Sequence, residues 1–209
     1  MTRSPSVPLR RLLRKPAQRA RFERSLRILP PDVRRFYRRA HARARRDGDA
    51  FSLESVSRPG HLAMLLESAR GRRTVVELGT GTAWATAALV VDDPQRRVLS
   101  FDPIVRPERE RYLALLAESQ RARIDLVAEP GGDGASRAEG VELLFVDSSH
   151  ERLPTVAEFE AWRPRLAPGA VVVFDDYAHP DWPGVAEAVA DLGIQGDVRG
   201  GLFVWRAPA

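Results

Sequence analysis

The chain of 209 residues is long enough to bury one substantial core, with an N-terminal extension to spare. It contains no cysteine, which excludes disulfides and thiolate metal sites, and no apolar run near the roughly 20 residues that a membrane span requires. Its net charge of +5 is unevenly spread: residues 1–46 hold fifteen Arg and Lys15 against Glu23 and Asp32, a balance of +14, and the remainder carries −9.

The basic N-terminus lacks the apolar centre of a secretory signal, so a cytoplasmic location is the expectation. A basic arm on an acidic body either meets a phosphate-bearing partner or folds back on acids of its own chain. Pro5, Pro8, Pro16, Pro30 and Pro31 divide this arm into short pieces. Its clearest helix opens at Pro31 and ends near Asp47-Gly48. Val33, Phe36, Tyr37, Ala40 and Ala44 fall on one helical stripe, which needs a surface to pack on. That surface is either the chain's own body or a second subunit, so a homodimer through the N-terminal helices is one expectation. The domain reading is an arginine-rich helical arm over residues 1–49 and a single α/β domain over 50–209.

From residue 51 apolar strands and helical patterns alternate. Pro59–Arg70 reads as a helix, Thr74–Leu78 as the first strand, Ala83–Val91 as a helix and Arg97–Phe101 as the second strand. A helix over Tyr112–Ser119, strands at Ile124–Ala128 and Val141–Val146 and a short helix over Phe159–Arg165 follow. Leu166-Ala-Pro-Gly169 reads as a turn into a fifth strand, Ala170–Phe174. Val185–Leu192 is helical, and Gln195–Val198 with Leu202–Trp205 form a closing antiparallel pair. Apolar strands separated by helices imply a parallel sheet covered on both faces.

Between the first strand and the next helix lies Glu77-Leu-Gly79-Thr80-Gly81-Thr-Ala-Trp84. Two glycines one residue apart form a tight turn at a helix start, where backbone N–H groups approach a ligand closely. The third glycine of a dinucleotide fingerprint is replaced by Trp84, which would crowd a pyrophosphate. Asp102 ends the second strand, where an acid accepts hydrogen bonds from ribose hydroxyls or simply makes a turn before Pro103. The Gly131-Gly-Asp133-Gly segment after the third strand is either a ligand-contacting turn or a flexible surface loop.

Two further strand ends carry chemistry. The fourth delivers Asp147-Ser-Ser-His150-Glu151, and the fifth delivers Asp175-Asp176. Asp147, Asp175 and Asp176 would give three hard oxygen ligands at one sheet edge, suited to Mg²⁺ rather than to zinc or copper. The plainer alternative has one aspartate capping a helix, another pairing with an arginine, and Ser148-x-x-Glu151 acting as a capping box. Trp182 is either a platform for a substrate or a packing residue of a lid. His61 and His179 have no partner set by spacing and read as bystanders.

Together, Glu77-Leu-Gly-Thr-Gly81, Phe101-Asp102, Phe145-Val-Asp147-Ser-Ser-His150 and Leu166-Ala-Pro-Gly169 through Asp175-Asp176-Tyr177 resemble the class I S-adenosylmethionine (SAM) methyltransferases. Among these the resemblance is to the metal-dependent small-molecule O-methyltransferases of the catechol and macrolide-sugar kind. It covers residues about 50–206 and leaves the arm outside. The resemblance implies a Rossmann-like α/β fold, with a mostly parallel seven-stranded sheet, helices on both faces and an antiparallel closing strand. It implies SAM contacts from Glu77, Gly79, Thr80, Gly81, Asp102, Asp133 and Asp147, and Mg²⁺ on Asp147, Asp175 and Asp176. It implies His150 as general base and a hydroxylated small molecule as acceptor. The Asp175-Asp176 pair departs from the Asp-Asn pair of the catechol enzymes, which brings the metal set closer to the sugar-modifying branch.

Two rivals accompany this reading. A nucleic-acid (RNA) methyltransferase would hold phosphates with the arginine arm, although stacking aromatics are sparse there and the amino-group Asn-Pro-Pro-Tyr motif is missing. A SAM-fold binding protein without catalysis would show a broken acidic trio or glycine turn, and neither is broken.

Overall fold

The computed structural model describes residues 20–209, so the prolines at 5, 8 and 16 lie outside the described residues. The arm's helix, α1 (Pro31–Asp47), has proline at its first position and ends at Gly48, whose φ of +69° makes it a left-handed cap. Its stripe of Val33, Phe36, Tyr37, Ala40 and Ala44 is buried in one core cluster with Trp84, Ala87 and Ala88. The helix thus packs on its own body, and the apolar face is already covered. On its other face Arg38 pairs with Glu23 and Arg43 with Asp47, and Arg39 donates to the Leu115 carbonyl.

After α2 (Ala50–Ser55) and α3 (Pro59–Ser68) the chain enters β1 (Thr74–Leu78), α4 (Trp84–Asp92) and β2 (Arg97–Phe101). The helix expected over Tyr112–Ser119 is instead two short helices, α5 (Arg109–Leu113) and α6 (Glu118–Arg121). Tyr112 is drawn fully into the core, with its hydroxyl on the buried Asp49 carboxylate, and Ala117 is extended. These tertiary anchors outweigh the local helical pattern. Then follow β3 (Ile124–Val127), a 3-10 helix (Gly131–Arg137), β4 (Val141–Val146) and α7 (Arg152–Trp162). Helix α7 starts well before the expected Phe159, because Pro154 lies in its first turn, where no N–H partner is needed. Strand β5 (Leu166–Phe174) takes in the segment expected to be a turn. Gly169, at φ +70°, lies in it beside a register irregularity against β4, as in a bulge. The chain closes with α8 (Pro183–Asp191), β6 (Asp197–Arg199) and β7 (Leu202–Arg206).

The seven strands lie in the order β3-β2-β1-β4-β5-β7-β6. β1 to β5 are parallel, and β7 runs antiparallel to both β5 and β6. Side-chain alternation separates two cores. Val75, Leu143, Phe145, Val171 and Val173 join the cluster under α1, α3 and α4, whereas Val76, Leu144, Val146, Val172 and Phe174 join Phe159, Trp162 and Val185 of α7 and α8. No helix among the described residues is long and apolar enough to cross a membrane.

Candidate active site

Strand order reverses between β1 and β4, and in open α/β sheets the crevice beyond the carboxyl ends of the strands at that point holds ligands. A cavity of about 720 Å³ lies there, within the usual 300–1,000 Å³ range for small-molecule sites. Glu77, Gly79, Thr80, Gly81, Asp102, Asp147, His150, Asp175 and Asp176 all line it. Parallel pairing explains the convergence, since register places Leu78, Phe101, Val146 and Phe174 in one row; Asp102, Asp147 and Asp175 follow that row directly, and Glu77 lies one residue before it.

The glycine turn is shaped by contact on one side and openness on the other. Gly79 has φ +102°, and a Cβ there would lie 2.0 Å from the Asp147 carbonyl oxygen. Gly81, at φ +51°, has nothing within 4 Å of the same position, so its face is open. Beneath the turn, Glu77 is buried; its Oε2 accepts from the hydroxyls of Thr86 and Ser100, while Oε1 has no partner. Burial pushes the Glu77 carboxyl up to about 7. A buried, orphaned acceptor on a cavity wall fits a cationic or hydroxylated ligand, such as the ammonium group of SAM. Trp84 reaches the cavity wall but is turned into the core. It is 3% exposed and packs edge-on against Tyr37 and Tyr112, with centroids 5.1 and 5.0 Å away.

Asp102 is held from several sides: Oδ1 accepts from the Ile104 N–H at 2.8 Å, and Oδ2 from the Gly81 N–H at 2.8 Å and Arg109 at 3.2 Å. Arg109, buried at 5% exposure, also donates to the Gly81 and Ile104 carbonyls and so ties the second strand's acid to the glycine turn. Nothing in the sequence pattern singled this arginine out. Asp133 is exposed and does not line the cavity. Its segment is not a flexible loop but a 3-10 helix, with Gly131 and Gly134 so close to Leu78 and Phe101 that a Cβ would clash. That packing brings Pro130 and Gly131 to the cavity wall and leaves Asp133 facing solvent.

At the other end of the cavity the expected acidic trio meets two histidines. His150 Nε2 lies 3.1 Å from Asp176 Oδ2 but has no aligned hydrogen-bond partner. His61 Nδ1 lies 3.0 Å from Asp175 Oδ1. The groups form two overlapping sets that share Asp176, namely Asp147 with His150 and Asp176, and His61 with Asp175 and Asp176. Within each set the candidate atoms lie within 4.8 Å of one another, close enough for a cation to sit among the carboxylates. Desolvation and the charges of Asp175 and Asp176 push the Asp147 carboxyl well above its ordinary range, whereas the His150 ring holds Asp176 below it. Carboxylates crowded in this way are relieved by a cation. Asp176 has φ +54°, a strained backbone for a side chain other than glycine. Ser148 donates to Glu158 and α7 begins only at Arg152, so the Ser148–Glu151 capping box does not form.

Residues 76–177 match the family model described as a methyltransferase domain. Among solved structures, a methyltransferase from Geobacter sulfurreducens superposes with a TM-score of 0.65 at 15% identity, covering 98% of either chain. CalS11, a TDP-rhamnose 3'-O-methyltransferase of calicheamicin biosynthesis, superposes at 0.55 with 21% identity over 69% of this chain and 76% of its own. Cofactor-bound Rv0187 from MTB reaches 0.60 at 21% identity over 82% of this chain and 89% of its own. At these identities the likeness is one of fold. No curated protein matches the sequence.

Proposed function

Since residues 76–177 match a methyltransferase domain, we propose that this chain is a class I SAM-dependent methyltransferase that methylates a hydroxyl oxygen of a small molecule, with a divalent cation such as Mg²⁺ at Asp147, Asp175 and Asp176. The observation that carries this reading is the convergence of Asp147, His150, Asp175 and Asp176 on one end of the cavity, with His150 Nε2 3.1 Å from Asp176.

When bound, SAM supplies an electrophilic methyl group and the cation lowers the pKa of a coordinated hydroxyl. The protein's own part is positioning and proton handling. Glu77 and the Gly79–Gly81 turn would hold the amino-acid end of SAM, and Asp102, steadied by Arg109, would accept from its ribose hydroxyls. Asp147 lies between the glycine turn and the acidic end, since its carbonyl abuts Gly79 and its carboxylate meets His150 and Asp176. His150 takes the acceptor's proton on its imidazole, a role suited to that group near neutral pH. The cavity keeps the two reactants within reach, the main requirement of methyl transfer.

Because CalS11 is named for a sugar hydroxyl, nucleotide-linked deoxysugars are the first acceptors to test, followed by phenols. The experiment is a panel of hydroxylated small molecules incubated with SAM and Mg²⁺, reading S-adenosylhomocysteine formation and product mass. Methylated ether products that disappear in EDTA support the proposal. Products methylated at nitrogen or carbon, or turnover unchanged by EDTA, overturn it.

A further inference from the structure

His61 lies on α3, ahead of the methyltransferase-domain span and 114 positions from Asp175 in sequence. Its Nδ1 is 3.0 Å from Asp175 Oδ1. The Asp176 backbone N–H donates to the same oxygen at 2.8 Å. Both contacts fall on Oδ1. An ionised carboxylate only accepts, so Nδ1 carries the proton and is not available as a ligand. The other ring nitrogen faces the β6–β7 turn, where a Cβ on Gly201 would lie 3.1 Å from Nε2. Met64, one helical turn further along α3, meets Gly200 in the same way. Helix α3 is therefore seated on the hairpin turn by close contacts, and His61 has one ring nitrogen turned to each side.

We propose that His61 is a positioning residue for the divalent-cation site: by donating to Oδ1 it holds the Asp175 carboxylate so that Oδ2 serves as the ligand atom. Asp175 is only 6% exposed, and without this donor its carboxylate keeps only the Asp176 N–H as a hydrogen-bond partner among the described residues. Outer donors that orient a ligating side chain typically matter about 10–100-fold in metal affinity. The inference rests on the cation site proposed above.

The test uses the full chain and Mn²⁺ as probe, with free ion read by its paramagnetic resonance signal and Mg²⁺ as competitor. S-adenosylhomocysteine affinity is measured in parallel by calorimetry. His61→Ala is expected to weaken Mn²⁺ binding about tenfold or more and to leave S-adenosylhomocysteine affinity unchanged. His61→Asn places an amide nitrogen where Nδ1 stands and is expected to stay near wild type. His61→Gln, whose amide reaches the Nε2 position instead, is expected to behave like the alanine variant. If His61→Ala does not fold, the contrast between Asn and Gln decides. Wild-type Mn²⁺ affinity in His61→Ala, or equal loss in Asn and Gln, overturns the positioning role. No Mn²⁺ binding by the wild-type chain overturns the cation site itself.

Discussion

The indole of Trp182 lies over the imidazole of His150, with ring centroids 4.5 Å apart and planes 27° apart. The loop after β5 thereby covers the histidine delivered after β4. The two segments also meet through Gly184, where a Cβ would stand 2.4 Å from the His150 carbonyl oxygen. Trp182 is 43% exposed, whereas Trp84, Trp162 and Trp205 are buried, so it is the tryptophan that an entering acceptor meets. Trp182→Ala should leave stability within about 0.5 kcal/mol, as for exposed positions generally. Turnover should fall about tenfold or more as His150 loses its fixed orientation, and Trp182→Phe should recover most of it. Steady-state rates of the two variants check this, and equal rates for wild type and Trp182→Ala would remove the role.

His150→Gln keeps a polar side chain but no base. Methyl transfer should slow about 10²-fold or more, with S-adenosylhomocysteine affinity unchanged by calorimetry. A rate within threefold of wild type, roughly 0.7 kcal/mol in barrier, would reassign the histidine to a structural role.

Asp176→Asn preserves shape and removes one charge from the point where both ligand sets overlap. Metal-stimulated turnover should vanish, and the melting temperature in Mg²⁺ should no longer exceed that in EDTA. Persistence of the Mg²⁺-dependent shift would place the cation elsewhere.

Gly79→Ala and Gly81→Ala separate crowding from backbone conformation. The first puts a Cβ 2.0 Å from a backbone carbonyl at φ +102°, and the second meets nothing within 4 Å at φ +51°. Gly79→Ala should cost about 2–4 kcal/mol or fail to fold, whereas Gly81→Ala should cost about 1–2 kcal/mol, the ordinary left-handed penalty. Denaturant midpoints measure both, and equal costs would contradict the close approach of the turn to β4.

Glu77 gives a pH dependence with a defined sign. Burial raises its folded-state value from 4.5 to about 7. Its protonated form is therefore favoured by folding, a contribution fully present below about pH 4.5 and lost as pH rises through 7. Glu77→Gln should accordingly be more stable than wild type at pH 8, by at most about 3 kcal/mol, with the difference shrinking toward pH 5. The same substitution should weaken SAM binding at pH 8, because an ammonium group loses its carboxylate. Stability curves at pH 5 and 8 with matched calorimetry test both signs, and a less stable variant at pH 8 would show that burial does not penalise the ionised carboxylate.

Much of the architecture is legible in the chain because it is local. The strands at Thr74–Leu78, Arg97–Phe101 and Val141–Val146 follow from short apolar runs, and α1 from one stripe between Pro31 and Gly48. Parallel strands share an edge, so acids written at their ends are brought to one cavity whatever the intervening helices do. The helix expected at Tyr112–Ser119 failed for the opposite reason: Tyr112 bonds to Asp49, 63 residues earlier, and that contact carries no local mark.

The sequence by itself determined the order of elements and the edge where Glu77, Asp102, Asp147 and Asp175-Asp176 assemble, since both depend on periodicity and strand direction. Only the tertiary structure decided that Arg109 clasps Asp102, that Asp133 faces solvent, and that His61 and Trp182 attend the acidic end. Each depends on packing between segments far apart in the chain, where close contacts at Gly79, Gly184 and Gly201 set which side chains meet.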